Sequence, residues 1–379
     1  MRPVNEAELA EMVRGANGPL RIVGGGTRGI GRTGPGEVLH TGGMAGISLY
    51  EPGALTLVAG AGTPLTDVEA ALDAEGQRLP FEAPDLRGVL GHTGTSTIGG
   101  VVAANASGPR RIQAGACRDS LIGVRFVDGA GVAIKNGGRV MKNVTGYDLV
   151  KLMAGARGTL GVLTEVAFKV LPRPEVEATL LARGLEPAAA VRAMSAALGS
   201  PYEVTGAAHL TADVTGDASE TRLRIEGMAG SVAYRQGALL GLLGSGWAVA
   251  KDSAALWRQV RDVAPFSGQD GAVWRLSVKP GDAPAVLAAL QAGGLGNRAI
   301  CDWGGGLIWF LAADAQDAGA ALIRGQLALL GGHATLMRGS ARLLAEVAVF
   351  HPEPPALAAI AAGLRAKFDP RGLFNPGLM

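Results

Sequence analysis

The sequence predicts an α+β chain in two parts, and three observations carry that reading. At 379 residues the chain is too long for one ordinary core. Up to Pro172, glycines recur in short clusters between apolar, β-branched runs, most densely from Gly94 onward. That is the pattern of strands and short helices joined by tight loops. Beyond Pro174 the texture changes to alanine-rich helical stretches between strands, in the order β-α-β-β-α-β, and that order occurs twice. Glycine totals 59 residues, roughly twice the usual ~7%. The excess marks many positions of unusual backbone dihedral or close approach by another group.

Asn5 and Glu8 form a capping-box pattern, which opens a helix at Glu6 that ends near Gly15. Leu20–Val23 reads as a strand, followed by GGGTRGIGRTGPG from Gly24 to Gly36. Gly24, Gly26 and Gly29 formally satisfy G-x-G-x-x-G, but that fingerprint also needs a helix and an acid about 20 residues on. The glycines and Pro35 forbid the helix, and no acid stands near Met44. The stretch is a glycine loop, with a plain surface loop as the alternative. Leu55–Ala59 reads as a strand, and Thr63-Pro64 starts a helix with Thr63 as its cap. Leu65, Val68 and Leu72 give that helix one apolar face.

Thr97–Gly100 enters a short helix over Val101–Ala106, and amides at such a start favour phosphate. Val124–Val127 and Val132–Ile134 pair as a hairpin across Asp128-Gly129. Lys142–Leu152 passes from loop into a short helix. Leu160–Leu171 is a long strand that ends at the linker Pro172-Arg173-Pro174.

The second part opens with strands Val176–Ala182, Val204–Leu210, Thr221–Ile225 and Trp247–Lys251 and helices Pro187–Leu198 and Tyr234–Leu243. Strands Val273–Val278, Arg298–Trp303, Leu307–Leu311 and Ala334–Met337 follow, with helices Ala283–Ala292 and Ala318–Leu330. These make two ferredoxin-like units on an antiparallel sheet. A helix over Ala356–Phe368 leads to the ending FDPRGLFNPGLM.

Composition narrows the function. A net charge of +2 argues against a nucleic-acid partner. No apolar run of about 20 residues spans a membrane, and the acidic start MRPVNEAELAEM has no hydrophobic leader. The expectation is a cytoplasmic protein, with membrane contact only peripheral. Cys117 and Cys301 are too few for an iron–sulfur cluster. His40, His92, His209, His333 and His351 include no pair at ligand spacing, so no metal site is expected.

Six segments, in this order and spacing, resemble the FAD-binding family of vanillyl-alcohol oxidase type, with its PCMH-type fold of two FAD-binding subdomains and a cap. They are Val23–Gly31, Gly94–Gly108, Arg118–Gly129, Lys142–Leu152, Gly158–Pro172 and Phe368–Gly377. Within the family, KNVTGYDLVKLMAGARGTLGVLTEV and FDP…FNPG are most similar to flavoprotein 2-hydroxyacid dehydrogenases. SGPRR at Ser107–Arg111 and the short length resemble the smaller FAD-binding subunits of bacterial glycolate oxidases. The resemblance implies an FAD-binding domain at 1–172, a cap at 173–345 and a segment at 346–379 that returns to the FAD domain.

It also implies roles. Gly24, Gly25, Gly26, Thr27, Arg28 and Gly29 would form a first pyrophosphate loop. Gly94, Thr95, Ser96, Thr97, Gly99 and Gly100 would form a second. Asn105, Ser107 and Gly108 would lie along the ribityl–flavin side. Gly158, Thr159, Gly161 and Val162 would give backbone contacts, and Asn375 would close the site. Converging amides in glycine turns suit a doubly charged pyrophosphate on physical grounds as well.

The first loop has Thr27 and Arg28 and no histidine to carry a covalent flavin, so non-covalent FAD is expected. The metal-binding histidine cluster of single-chain relatives is missing. The resemblance therefore implies glycolate oxidation to glyoxylate within a complex. Its partners would be a larger FAD-binding glycolate oxidase subunit and an iron–sulfur subunit that passes electrons toward quinone. A stand-alone dehydrogenase for a small 2-hydroxyacid and a flavin-retaining structural subunit are the alternatives. Chemistry on a hydroxyacid needs a base and a cation for the carboxylate. His351 is the base candidate, with His92 second, and Arg275 in WRLSV is the carboxylate candidate. Arg110 and Arg111 are candidates for a partner-facing patch, and Lys142 for a place near the flavin.

Overall fold

A computed structural model describes residues 1–32, 34–138 and 146–378 of the chain. Its first helix runs Glu6–Gly15, with the Asn5 side chain accepting from the Glu8 N–H. The Glu8 carboxylate reaches back to the Val4 N–H, one residue before the position a capping box uses. Leu9, Ala10 and Val13 lie on the helix's buried face. They pack with Leu20 of β1 (Leu20–Val23), Leu39 of β2 (Glu37–His40), and Leu373 and Phe374 near the C-terminus. β1 and β2 pair in parallel. This unit is the first subdomain.

The next strands are β3 (Ile47–Glu51), β4 (Thr56–Gly60), β5 (Gln77–Arg78), β6 (Leu121–Val127), β7 (Ala133–Gly137), β8 (Val162–Lys169) and β9 (Leu171–Pro172). Five form an antiparallel sheet of order β3-β4-β8-β6-β7, the second subdomain, and β5 pairs with β9. The helix at Leu65–Ala74 packs Leu65, Val68 and Leu72 on this sheet. Thr63 does not cap it: the Thr63 hydroxyl bonds the Gly46 and Gly60 carbonyls, and Pro64 stands at the N-cap. The short helix after the second glycine loop starts earlier than expected, at Ile98, and runs to Ala103.

The remaining strands are β10 (Val176–Arg183), β11 (Val204–Leu210), β12 (Glu220–Gly227), β13 (Trp247–Val249), β14 (Ala272–Ser277), β15 (Ala299–Asp302), β16 (Leu307–Ala312) and β17 (His333–Arg338). They make one sheet of order β13-β10-β12-β11-β15-β16-β14-β17, with every pair antiparallel. Each unit keeps the order fourth-first-third-second, and the two meet edge to edge at β11 and β15. The duplication read from pattern is therefore present as one continuous sheet. Helices Pro187–Leu198, Ala229–Leu243, Ala283–Ala292 and Ala320–Leu330 cover one face, over Leu223, Ile225, Trp274 and Phe310.

The opposite face meets the first part of the chain. At one end Val273, Ile300, Trp309 and Met337 pack with Ile30, Leu86, Val89 and Leu90. At the other end charged side chains fill it. Arg224 forks onto both Glu82 oxygens at 3.0 and 2.8 Å. Arg110 binds Glu226 at 2.7 Å and Glu82 at 2.9 Å, and Arg78 binds Glu226 at 2.7 Å. Asp252 caps a helix at Ser253–Arg261 that stops β13 short of its expected end.

Residues 346–350 stay with the cap sheet. Val347 joins its core and the Leu336 N–H donates to the Val349 carbonyl. Helix Pro355–Phe368 then crosses back and sets Leu364 and Phe368 on the five-stranded sheet. Among the described residues no helix is long and apolar enough to cross a membrane.

Candidate functional site

Two glycine loops interlock where β1 ends. A Cβ on Gly25 would lie 1.5 Å from the Thr95 carbonyl oxygen, and one on Gly94 2.3 Å from the Gly25 carbonyl oxygen. A Cβ on Gly24 would lie 2.6 Å from the Thr97 hydroxyl. Backbone rests on backbone, at a spacing that excludes any other residue. Arg28 ties the loops together through Ser96 Oγ at 2.5 Å, Thr27 Oγ1 at 3.1 Å and the Pro84 carbonyl at 2.8 Å. Its Nε is buried without a partner among the described residues, and burial lowers its pKa.

Above these loops lies a cleft of about 390 Å³, within the range of small-molecule sites. Gly24–Gly29, Thr97, Gly99 and Gly100 line one end. Ala103, Ala104, Met153 and Leu163 make an apolar wall, with Gly158, Gly161 and Asn375 beside it. The amides of Gly25–Gly29 donate to no acceptor among the described residues. The second loop differs from expectation here. The Ile98 and Gly99 amides donate to the Thr63 and Ala61 carbonyls, and Gly100 donates to Thr97 Oγ1. Those amides are occupied in holding the loop, so they are not open to phosphate.

Asn375, at φ +44°, stitches the C-terminal segment to the cleft wall. Its Oδ1 accepts from the Ile22 N–H at 2.8 Å, and its Nδ2 donates to the Arg157 carbonyl at 2.8 Å. Gly94, Thr95 and Ser96 back the first loop from behind, and Thr159 and Val162 are buried off the cleft. Asn105, Ser107 and Gly108 do not line it either. Asn105 accepts from the Arg118 N–H, and Ser107 accepts from the Cys117 N–H. Gly108 meets the cap, where its carbonyl accepts from Trp303 Nε1 at 3.1 Å. His92 lines the cleft mouth and its Nε2–H donates to the Gly29 carbonyl at 2.8 Å. Lys142 lies outside the described residues.

Arg275 projects from β14 toward the first part of the chain. Its guanidinium lies 5.5 Å from the Trp303 ring centre, and that of Arg111 lies 4.4 Å from the same ring. Arg157, which lines the cleft, sits 5.6 Å from the Phe350 ring. Burial lowers Arg157 to about 10. Burial, with Arg111 and Arg157 adding to it, lowers Arg275 to about 10. All remain cationic at neutral pH.

His351 stands at the cap edge with Nδ1 accepting from the Ala334 N–H at 3.4 Å. His333 pairs across from Ser277 in β14. Burial, then Arg275, His351 and Arg111, lower its pKa, and burial and Arg324 lower that of His351. Both imidazoles are neutral at pH 7. Arg110 is spent on the charged junction and does not form an open patch with Arg111. Sequence reasoning missed Arg157 and His333. The GARGTLG run that holds Arg157 offered the signal, since it sets one cation between glycines of a predicted site. Among the described residues no three His, Cys, Asp or Glu side chains gather as a metal site.

The glycine-lined cleft lies beside an antiparallel cap sheet, an arrangement suited to an extended phosphate-bearing ligand. The FAD binding domain family matches residues 1–137. Glycolate oxidase subunit GlcE of Escherichia coli is 37% identical over 369 residues, covering 95% of this chain and 92% of that one. Glycolate oxidase subunit GlcD of Bacillus subtilis is 36% identical over 132 residues, 35% of this chain and 25% of that one. A solved structure of p-cresol methylhydroxylase with substrate bound matches all of this chain and 87% of that one, at a TM-score of 0.75 and 14% identity, a likeness of fold. The chain belongs to the family of FAD-linked oxidoreductases that includes glycolate oxidase subunit GlcE.

The residues fit the cofactor. Among the described residues, open amides and an unpartnered guanidinium nitrogen line or adjoin the cleft, and its apolar side chains Ala103, Ala104, Met153 and Leu163 suit a flat ring.

Proposed function

We propose that the chain holds FAD non-covalently and serves as the FAD-binding subunit of a complex that oxidises glycolate to glyoxylate. The observation that carries this reading is the interlocked pair of glycine loops with five adjacent amides left open. In this reading the Gly25–Gly29 amides hold the pyrophosphate, and Ala103, Ala104, Met153 and Leu163 pack on the ring system. Arg28 and Asn375 position the walls. When bound, FAD supplies the two-electron acceptor for the oxidation. In the same reading Arg275 orients a carboxylate, and His351, with His333 near it, serves as the base.

The cap, residues 173–345 with 346–350 joined to its sheet, roofs the FAD domain at 1–172, and helix Pro355–Phe368 with the residues after it closes that domain. The partners are a larger FAD-binding glycolate oxidase subunit and an iron–sulfur subunit. The complex works in the cytoplasm or against the inner membrane. Support comes from the 37% identity to GlcE across 95% of the chain.

The test is to denature the purified chain and record the visible spectrum of the supernatant. Released FAD at one per chain is expected. A colourless chain that takes up no added FAD would overturn the reading. Slow bleaching of the isolated chain by glycolate, made fast by the partner subunits, is expected next. Fast bleaching alone would favour a self-sufficient enzyme.

A further inference from the structure

The junction between the two parts balances its charges at one end and not at the other. In the charged ladder, Arg78, Arg110 and Arg224 face Glu82, Glu177 and Glu226. Beside the cleft, Arg111, Arg157 and Arg275 have no acid partner. Among the described residues none of the three makes an ion pair or a side-chain hydrogen bond, and their contacts are the Trp303 and Phe350 rings. A ring face offsets little of the repulsion among three half-buried like charges gathered at one junction.

The nearby acids are already engaged. Asp302 is fully buried and accepts from the Trp303 N–H at 2.7 Å, and burial pushes its pKa up to about 7. Asp119 accepts from the Ala116 N–H and faces Lys151 at 3.5 Å. His333 and His351 add no charge at neutral pH. The positive charge is also divided between two places. Arg111 and Arg275 share the Trp303 ring, while Arg157 stands on Phe350. One compact oxyanion meets one seat. Two carboxylates on a short carbon spacer meet both, each as a planar partner for guanidinium.

We propose that this junction, which adjoins the cleft at Arg157, takes a small dicarboxylate, with one carboxylate at Arg111 and Arg275 beside Trp303 and the other toward Arg157. The inference rests on the reading above and names a ligand class for the cap junction beside that cleft. Glycolate, with one carboxylate, fills only one of the two places.

The experiment titrates malonate, acetate, glycolate and inorganic phosphate into the flavin-loaded full chain, followed by calorimetry and thermal shift. Malonate is expected to bind at least ~10-fold tighter than acetate, glycolate or phosphate. Arg275→Gln and Arg111→Gln are each expected to weaken malonate ~10-fold or more and acetate less, while Arg275→Lys keeps part of the preference. Equal affinity for malonate and acetate, phosphate binding as tight as malonate, or a malonate affinity untouched by both glutamine variants would overturn the proposal. If Arg275→Gln does not fold, Arg111→Gln decides. Flavin content is read on the same samples. A chain without flavin that still prefers malonate counts against FAD binding alone, and a flavin-loaded chain without the preference counts against this inference alone.

Discussion

Gly25 and Gly26 are neighbours in sequence and glycine for different reasons. At Gly25 a Cβ would collide with the Thr95 carbonyl at 1.5 Å, whereas at Gly26 space is open but φ is +70°. Gly26→Ala is expected to cost about 1–2 kcal/mol, the strain of a left-handed residue. Gly25→Ala must push the second loop away, at about 1–3 kcal/mol or more for overpacking, and lose flavin as well. The ratio of flavin to protein absorbance, with the thermal midpoint, distinguishes them. Asp302 makes a residue-scale prediction in pH. Its carboxyl titrates near 7 in the folded chain because burial disfavours the charged form. A raised acid contributes stability that is present below its unfolded value, ~3.9, and is lost as pH rises through about 7. Asp302→Asn keeps an acceptor for the Trp303 N–H, so it is expected to flatten the fall in thermal midpoint between pH 5 and 7. A wild-type midpoint with no fall across that window would count against this.

At the scale of the element, β12 shows what alternation reveals and what it hides. ETRLRIEG turns Leu223 and Ile225 to the helices and Glu220, Arg222, Arg224 and Glu226 to the other face. A charged face ordinarily meets water, yet all four are buried here. Their partners lie on distant segments, as Glu82 does for Arg224, and local pattern carries no record of that pairing. Arg224→Met is expected to cost about 3–5 kcal/mol by urea denaturation, because Glu82 loses its forked partner and stays buried with Arg110 alone, and adding Glu82→Leu should recover part.

Burial alone would raise Glu82 and Glu226. The guanidinium groups of Arg224 and Arg110 override it, so both carboxyls lie below the usual range. Stability from the ladder is therefore present above ~4.3 and lost as pH falls below it, and the double variant should lose less between pH 5 and 3. The same distinction explains how the sequence read elsewhere. The cap helices Pro187–Leu198 and Ala283–Ala292 fall where periodicity sets them, since one apolar stripe decides a helix. β2 and the Ser253–Arg261 helix escaped notice. Glu37–His40 has no distinctive run, and the other depends on a single cap at Asp252. In the site, the glycine loops were legible because steric necessity leaves glycine behind. The occupied amides of Ile98–Gly100 were not, because their acceptors, Thr63 and Ala61, come from another loop.

At the scale of the molecule, the first subdomain is built from both ends of the chain. Leu20 bonds the Leu373 carbonyl, Leu373 and Phe374 are buried against the first helix, and Arg371 reaches the Val13 and Gly129 carbonyls. Removing residues 369–379 deletes two fully buried apolar side chains, worth about 1.5–3 kcal/mol each, together with the Asn375 bridge. The truncated chain is expected to lose flavin before it loses the cap, whose core draws only on residues 176–347. Limited proteolysis of that variant should leave a cap fragment, and an unchanged flavin content would count against the account. The Asn375 bridge to Ile22 spans 353 residues. At ~5–20 residues per second, roughly 20–70 s separate the synthesis of its two partners. A nascent chain has its whole cap before it has a finished cradle, so loading with cofactor waits for the last stretch to leave the ribosome. Until then β1 and its glycine loop stand without their closing strap, and a chaperone that shields them for about a minute would have a defined task.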